Sequence, residues 1–100
     1  MQKIFQMDLS LFKESLSGNE PPKNCPVYLN ALWYDAKGEW DKAHKLIQDV
    51  EDKNASWIHA YLHRKEGDTG NADYWYSRAG KKRYPVDLEK EWEEIVAALI

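Results

Sequence analysis

The amino-acid sequence predicts an all-α fold, on two observations. Three small residues recur 29 positions later in the chain: Ala31, Gly38 and Ala43 return as Ala60, Gly67 and Ala72. A repeat of this length is typical of stacked supersecondary units. Apolar residues also recur at helical spacing along most of the chain, and no segment alternates apolar and polar residues as a half-buried strand does.

The composition indicates one small soluble domain covering residues 1–100. A hydrophobic content of 43% is enough for a packed interior, and a net charge of −3 disfavours general attraction to nucleic acid. Because Cys25 is the only cysteine, stability cannot come from an internal disulfide. No apolar run is long enough for a signal sequence or a membrane span, so we expect a cytoplasmic protein without a membrane partner.

The first predicted helix covers about residues 8–16, where Leu9, Phe12 and Leu16 fall on one helical face. A connector rich in glycine, asparagine and proline follows and cannot remain helical. Pro26 suits the first turn of the second helix, where a backbone N–H is not needed.

Four central helices are predicted to form two hairpins, over about residues 27–50 and 55–80. Gly38 and Gly67 should end the first helix of each hairpin, because glycine accepts the left-handed conformation of a helix C-terminus. Asn54 and Asp68 are the expected N-caps of the fourth and fifth helices.

A last helix is expected after Asp87, which is placed to cap it. Its apolar stripe consists of Leu88, Trp92, Ile95, Val96 and Leu99. The stripe predicts that this helix packs on an apolar surface. The acidic residues that accompany it are expected to face solvent: Asp87, Glu89, Glu91, Glu93 and Glu94.

The repeated unit, over about residues 27–80, resembles the tetratricopeptide helical hairpin. The matching positions are a small residue in the first helix, a glycine followed by an acid at the turn, and an alanine in the second helix: Ala31 and Ala60, Gly38–Glu39 and Gly67–Asp68, Ala43 and Ala72. The period of 29 is shorter than the family's usual 34. The resemblance implies a right-handed array of five to six helices, with two central hairpins and a capping helix at each end. The segment also resembles small uncharacterised bacterial proteins, which implies a bacterial origin and no known activity.

The resemblance further implies a binding surface on the first helix of each hairpin. Its positions correspond to Tyr28, Leu32 and Asp35 in the first hairpin, and Trp57, Tyr61 and Arg64 in the second. These residue types are common in binding hot spots. The leading hypothesis is therefore a non-enzymatic interaction module for a peptide, a protein or a second copy of the chain. In the alternative, the N-terminal segment or the last helix covers these rings.

His59 and His63 lie four residues apart on the fourth helix, a spacing that can present two imidazoles to one metal ion. Ala60 stands where the zinc-protease motif requires glutamate, which excludes that reaction class. The repeat register instead predicts buried histidines that are hydrogen-bonded to Asn30 or Tyr34 of the first hairpin.

In a second hypothesis, these histidines bind a metal ion or a small ligand, and His44 or Glu66 completes the site. The protein would then be a small-ligand or metal-dependent enzyme with a pocket between the hairpins. A third hypothesis is weak RNA binding, because cations and tyrosines are interleaved near the end of the fifth helix. The residues concerned are Tyr76, Arg78, Lys81, Lys82, Arg83 and Tyr84. The alternative explanation is a solvated helix end, where cations are favourable at the C-terminal dipole and the following acidic residues largely cancel the local field. Cys25 has no general base nearby in the sequence and is expected to be structural. The sequence indicates no cofactor and no specific reaction.

Overall fold

The computed structural model describes residues 7–83 and 86–100, so Tyr84 lies outside the described residues. Within these ranges the chain forms six helices and no strand: Leu9–Ser15 (α1), Val27–Ala36 (α2), Trp40–Ile47 (α3), Lys53–Lys65 (α4), Thr69–Ala79 (α5) and Leu88–Leu99 (α6). The predictions of an all-α fold and of five to six helices are confirmed. None of the described helices combines the length and the apolarity that a membrane span requires.

Aspartate side chains cap four of the six helices by accepting a backbone N–H of the first turn. Asp8, Asp68 and Asp87 begin α1, α5 and α6. The prediction of Asn54 as the cap of α4 was wrong, because Asp52 holds that position and accepts from the backbone N–H of Ala55 at 2.8 Å. Helix α4 therefore begins two residues earlier than the sequence suggested.

Two helical hairpins, α2–α3 and α4–α5, make up the centre of the fold. Gly38 and Gly67 lie in the turns of the two hairpins with φ of +85° and +91°, a conformation that other residues resist. Ala43 and Ala72, on the second helix of each hairpin, are fully buried. Their small side chains allow the paired helices to approach closely.

Helix α6 packs against α4, α2 and α1, and so contacts both hairpins. Its apolar stripe is buried at Trp92, Ile95 and Val96. The indole Nε1 of Trp92 donates a hydrogen bond to the backbone carbonyl of Leu32 at 3.0 Å. The predicted docking of the last helix on an apolar surface is thus confirmed, and that surface includes the first helix of each hairpin.

Candidate functional site

The predicted binding surface lies in the interior of the folded chain. Leu32, Asp35, Trp57 and Tyr61 are at most 7% exposed, and α6 packs against the helices that carry them. Tyr28 lies at the margin, where its hydroxyl donates to the Asp52 carboxylate. The expectation of an open contact patch is corrected accordingly: the last helix covers the rings, as the alternative proposed.

A buried carboxylate on α6 explains why Arg64 is not available on this surface either. Glu91 is 2% exposed and accepts hydrogen bonds from the Tyr76 hydroxyl at 2.6 Å, from Arg64 Nη1 at 2.7 Å and from Trp57 Nε1 at 3.2 Å. Arg64 also donates to the backbone carbonyl of Val86. The expectation that Glu91 faces solvent was wrong, because the Arg64 guanidinium compensates its charge in the interior.

A second buried carboxylate, Asp35, accepts from the Tyr61 hydroxyl at 3.0 Å and from Lys65 Nζ at 2.9 Å. Burial, and then the charge of Asp35, raise the pKa of Tyr61, so this hydroxyl stays protonated and donates. Asp35 is therefore bonded to Tyr61 and Lys65, whereas Arg64 is bonded to Glu91. The two charged residues of the predicted patch stabilise the folded chain and do not face a partner.

The three histidines of the chain come together where the two hairpins meet. His44 comes from α3, and His59 and His63 come from successive turns of one face of α4. The Nε2 atoms of His44 and His59 are 3.0 Å apart. One ring nitrogen of each histidine lies within 4.8 Å of the others. We call these three residues the histidine cluster.

Two tryptophans cover faces of the histidine cluster. The Trp40 ring stacks on His44 with centroids 5.0 Å apart, and the Trp75 ring stacks on His59 at 3.9 Å. Trp40 is fixed by a hydrogen bond from its Nε1 to the backbone carbonyl of Leu62 at 2.8 Å. Because this hydrogen bond fixes the Trp40 indole, the His44 ring stacked on it is restricted as well.

Burial keeps two of the imidazoles uncharged at neutral pH. It lowers the pKa of His59 to about 4, with the neighbouring His44 and His63 adding to the effect. Burial, followed by the proximity of His63, also lowers the pKa of His44. An uncharged imidazole keeps a lone pair, which is the form that binds a metal ion.

His63 is oriented by a carboxylate. Its Nδ1 lies 2.7 Å from Glu66 Oε2, and since a carboxylate accepts, Nδ1 carries the hydrogen and donates it. In the neutral ring the lone pair is then on Nε2. An Asp68 oxygen also lies within 4.8 Å of a His63 nitrogen and a Glu66 oxygen. A histidine that donates one N–H to a carboxylate is the usual arrangement around protein metal sites.

The prediction that His59 and His63 are buried is confirmed, since both are at most 7% exposed, but their predicted hydrogen-bond partners were wrong. The side chain of Asn30 donates to the backbone carbonyl of Cys25 rather than to His59, and His63 is bonded to Glu66 rather than to Tyr34. The second hypothesis named His44 and Glu66 as residues that complete a site with His59 and His63, and both lie beside these two histidines. The i, i+4 spacing was the sequence signal for two members of the histidine cluster, whereas nothing in the sequence indicated that Trp75 lies against His59.

The remaining candidates are distributed elsewhere. Arg78 lies over the Tyr74 and Trp75 rings, and Arg83 pairs with Asp73 at 2.9 Å. Cys25 is half-buried, and this burial raises the pKa of its thiol to about 11. A thiol with so high a pKa is protonated at neutral pH and is a poor nucleophile.

Comparisons with known proteins return no match: no family model fits the chain, and neither a curated protein nor a solved structure is similar to it. Function is therefore argued from the geometry of the chain itself.

Proposed function

We propose that this chain is a small helical metal-binding protein, whose histidine cluster holds one divalent transition-metal ion. The observation that supports this best is the convergence of all three histidines, from two helices, with one nitrogen of each within 4.8 Å of the others. Three imidazoles are a common ligand set for zinc, and imidazole also suits copper and nickel.

The spacing of two of the three imidazoles fits such an ion, and the third nitrogen, within 4.8 Å of both, would have to move closer. Zinc–nitrogen bonds of 2.0–2.1 Å in a tetrahedral site place the ligand nitrogens about 3.3 Å apart. The Nε2 atoms of His44 and His59 are already 3.0 Å apart and share one hydrogen. To bind an ion through both Nε2 atoms, the imidazole that donates this hydrogen would carry it on Nδ1 instead, whereas the accepting imidazole already has its hydrogen on Nδ1.

The surrounding charge also favours a cation. Glu66 accepts from His63, and the negative charges of Glu66 and Asp41 act on His44. These carboxylates would offset part of the ion's charge. The stacked indoles cover faces of His44 and His59, which supports retention of an ion rather than turnover of a substrate.

The activity we propose is thus non-enzymatic, with the metal joining α3 to α4 across the two hairpins. The tetratricopeptide resemblance and a role in binding peptides or proteins stay predictions. A partner that used Trp57 and Tyr61 would first have to displace α6, since both rings are buried.

Titration with Co²⁺ and Zn²⁺ tests the proposal. Calorimetry of EDTA-treated, dialysed protein should give one equivalent of bound metal, and Co²⁺ should show visible absorption bands. At a free concentration of 100 times the Kd, the ion should stabilise the fold by about 2.7 kcal/mol. His59→Gln should abolish binding, and Glu66→Gln should weaken it by about 10–100-fold.

Lys45→Gln is the matched control, because Lys45 follows His44 on α3 and is exposed. It should leave the metal affinity unchanged. Circular dichroism must show that each variant is folded. Absence of binding by the native chain, or equal binding by folded His59→Gln protein, would refute the proposal.

A further inference from the structure

A second site is indicated at the end of α5, away from the histidine cluster. Here a cavity of about 520 Å³ opens beside the helix terminus. It is lined by Asp73, Tyr76, Ser77, Gly80, Lys81, Lys82 and Arg83. The volume lies within the range typical of small-molecule sites.

The charge in this cavity is positive, although the chain as a whole is negative. Three consecutive cations, Lys81, Lys82 and Arg83, face one carboxylate, Asp73. Asp73 is already held by both Arg83 Nε and Nη2, at 2.9 and 3.3 Å. The two lysines therefore leave a surplus of positive charge at the cavity wall.

Two carbonyls at the C-terminal end of α5 do not depend on these lysines for a hydrogen bond. The backbone N–H groups of Gly80 and Lys81 already donate to the carbonyls of Ser77 and Tyr76, at 3.0 and 2.9 Å. The ammonium of Lys81 instead lies 4.0 Å from the centre of the Trp57 ring. Among the described residues, Lys82 has no ion-pair or hydrogen-bond partner.

We infer that this cavity binds the phosphate group of a small phosphorylated molecule. A phosphate monoester carries close to two negative charges at neutral pH, which matches the surplus of two lysines. Ser77 also lines the cavity, and its hydroxyl can act as a neutral donor. Lysine ammonium groups and a hydroxyl are a usual set of phosphate contacts.

A nucleic-acid strand fits this surface less well. Strand binding uses cations spread along an extended face, whereas these cations are confined to three successive residues. Arg78, the next nearest cation in the sequence, is engaged with the Tyr74 hydroxyl and the Trp75 ring.

The test uses the full chain in EDTA, with inorganic phosphate, AMP and a single-stranded oligoribonucleotide as probes. Phosphate and AMP should bind saturably, and movement of Lys81 should change the fluorescence of Trp57. The double variant Lys81→Ala/Lys82→Ala should weaken AMP binding by about tenfold or more, since each substitution removes a charge-assisted contact. In Trp57→Phe protein the fluorescence change should be lost while calorimetric AMP binding persists.

Lys23→Ala/Lys45→Ala is the matched control, because both lysines are exposed and lie outside the cavity lining. It should leave the AMP affinity unchanged. The inference is overturned by absence of saturable AMP binding, by equal losses in the two double variants, or by an oligoribonucleotide that binds when AMP does not. None of these outcomes bears on metal binding, which depends on different residues.

Discussion

Replacement of Glu91 by alanine should destabilise the protein more than any other single removal of charge on α6. The substitution leaves the Arg64 guanidinium without its carboxylate and two buried donors, the Tyr76 hydroxyl and Trp57 Nε1, without this acceptor. Breaking a buried ion pair from one side typically costs about 3–5 kcal/mol. For a domain of this size, that corresponds to a fall in Tm of about 15–30 °C.

Urea and thermal unfolding, followed by circular dichroism, measure the effect. Glu93→Ala is the matched control on the same helix, because Glu93 pairs with Lys13 at the surface at 2.6 Å and its loss should change the midpoint little. Equal unfolding midpoints for Glu91→Ala and Glu93→Ala would refute the role of Glu91 as the buried anchor of α6.

Two further predictions concern titration and thiol reactivity. The pKa of His59 is about 4 in the fold but 6.5 in an unfolded chain, so the unfolded state binds the proton first as the pH falls from 6.5 towards 4. In EDTA, the free energy of unfolding should therefore fall by about 3 kcal/mol over this range because of His59. His59→Gln should remove this part of the pH dependence of the unfolding free energy. An unchanged slope in the variant would contradict the buried, uncharged histidine. Because burial raises the pKa of Cys25 to about 11, iodoacetamide at neutral pH should modify the native protein about a hundredfold more slowly than the urea-unfolded chain, and equal rates would contradict this environment.

Local features of the fold could be predicted from sequence because neighbouring residues determine them. Asp68, Asp87 and the glycine turns follow from the backbone groups that each residue can satisfy. The cap of α4 could not be chosen locally, since both Asp52 and Asn54 are suitable residue types. The hydroxyl of Tyr28, from another helix, donates to Asp52 and adds a tertiary contact there.

The buried position of Glu91 left a signal in the sequence. It lies three residues after Leu88 and four before Ile95, and so shares the apolar face of the last helix. Its burial depends on Arg64, which is 27 residues away in the chain and therefore invisible to helical periodicity.

Only the His59–His63 pair of the histidine cluster could be predicted from local spacing. The spacing of His59 and His63 places them on one face of a helix whatever the tertiary fold. The position of His44 and the stacking of Trp75 depend on how α3 and α5 cross α4, which local spacing does not determine.

The placement of α6 has a consequence for the order in which the protein matures. Synthesis delivers both hairpins before α6, and until α6 arrives the side chains of Leu32, Trp57 and Tyr61 lack their cover. The nascent chain therefore passes through a stage in which an apolar aromatic surface is exposed, and this surface can bind chaperones or other nascent chains. Insertion of Trp92 and Glu91 ends that stage, because it buries this surface and adds contacts to both hairpins.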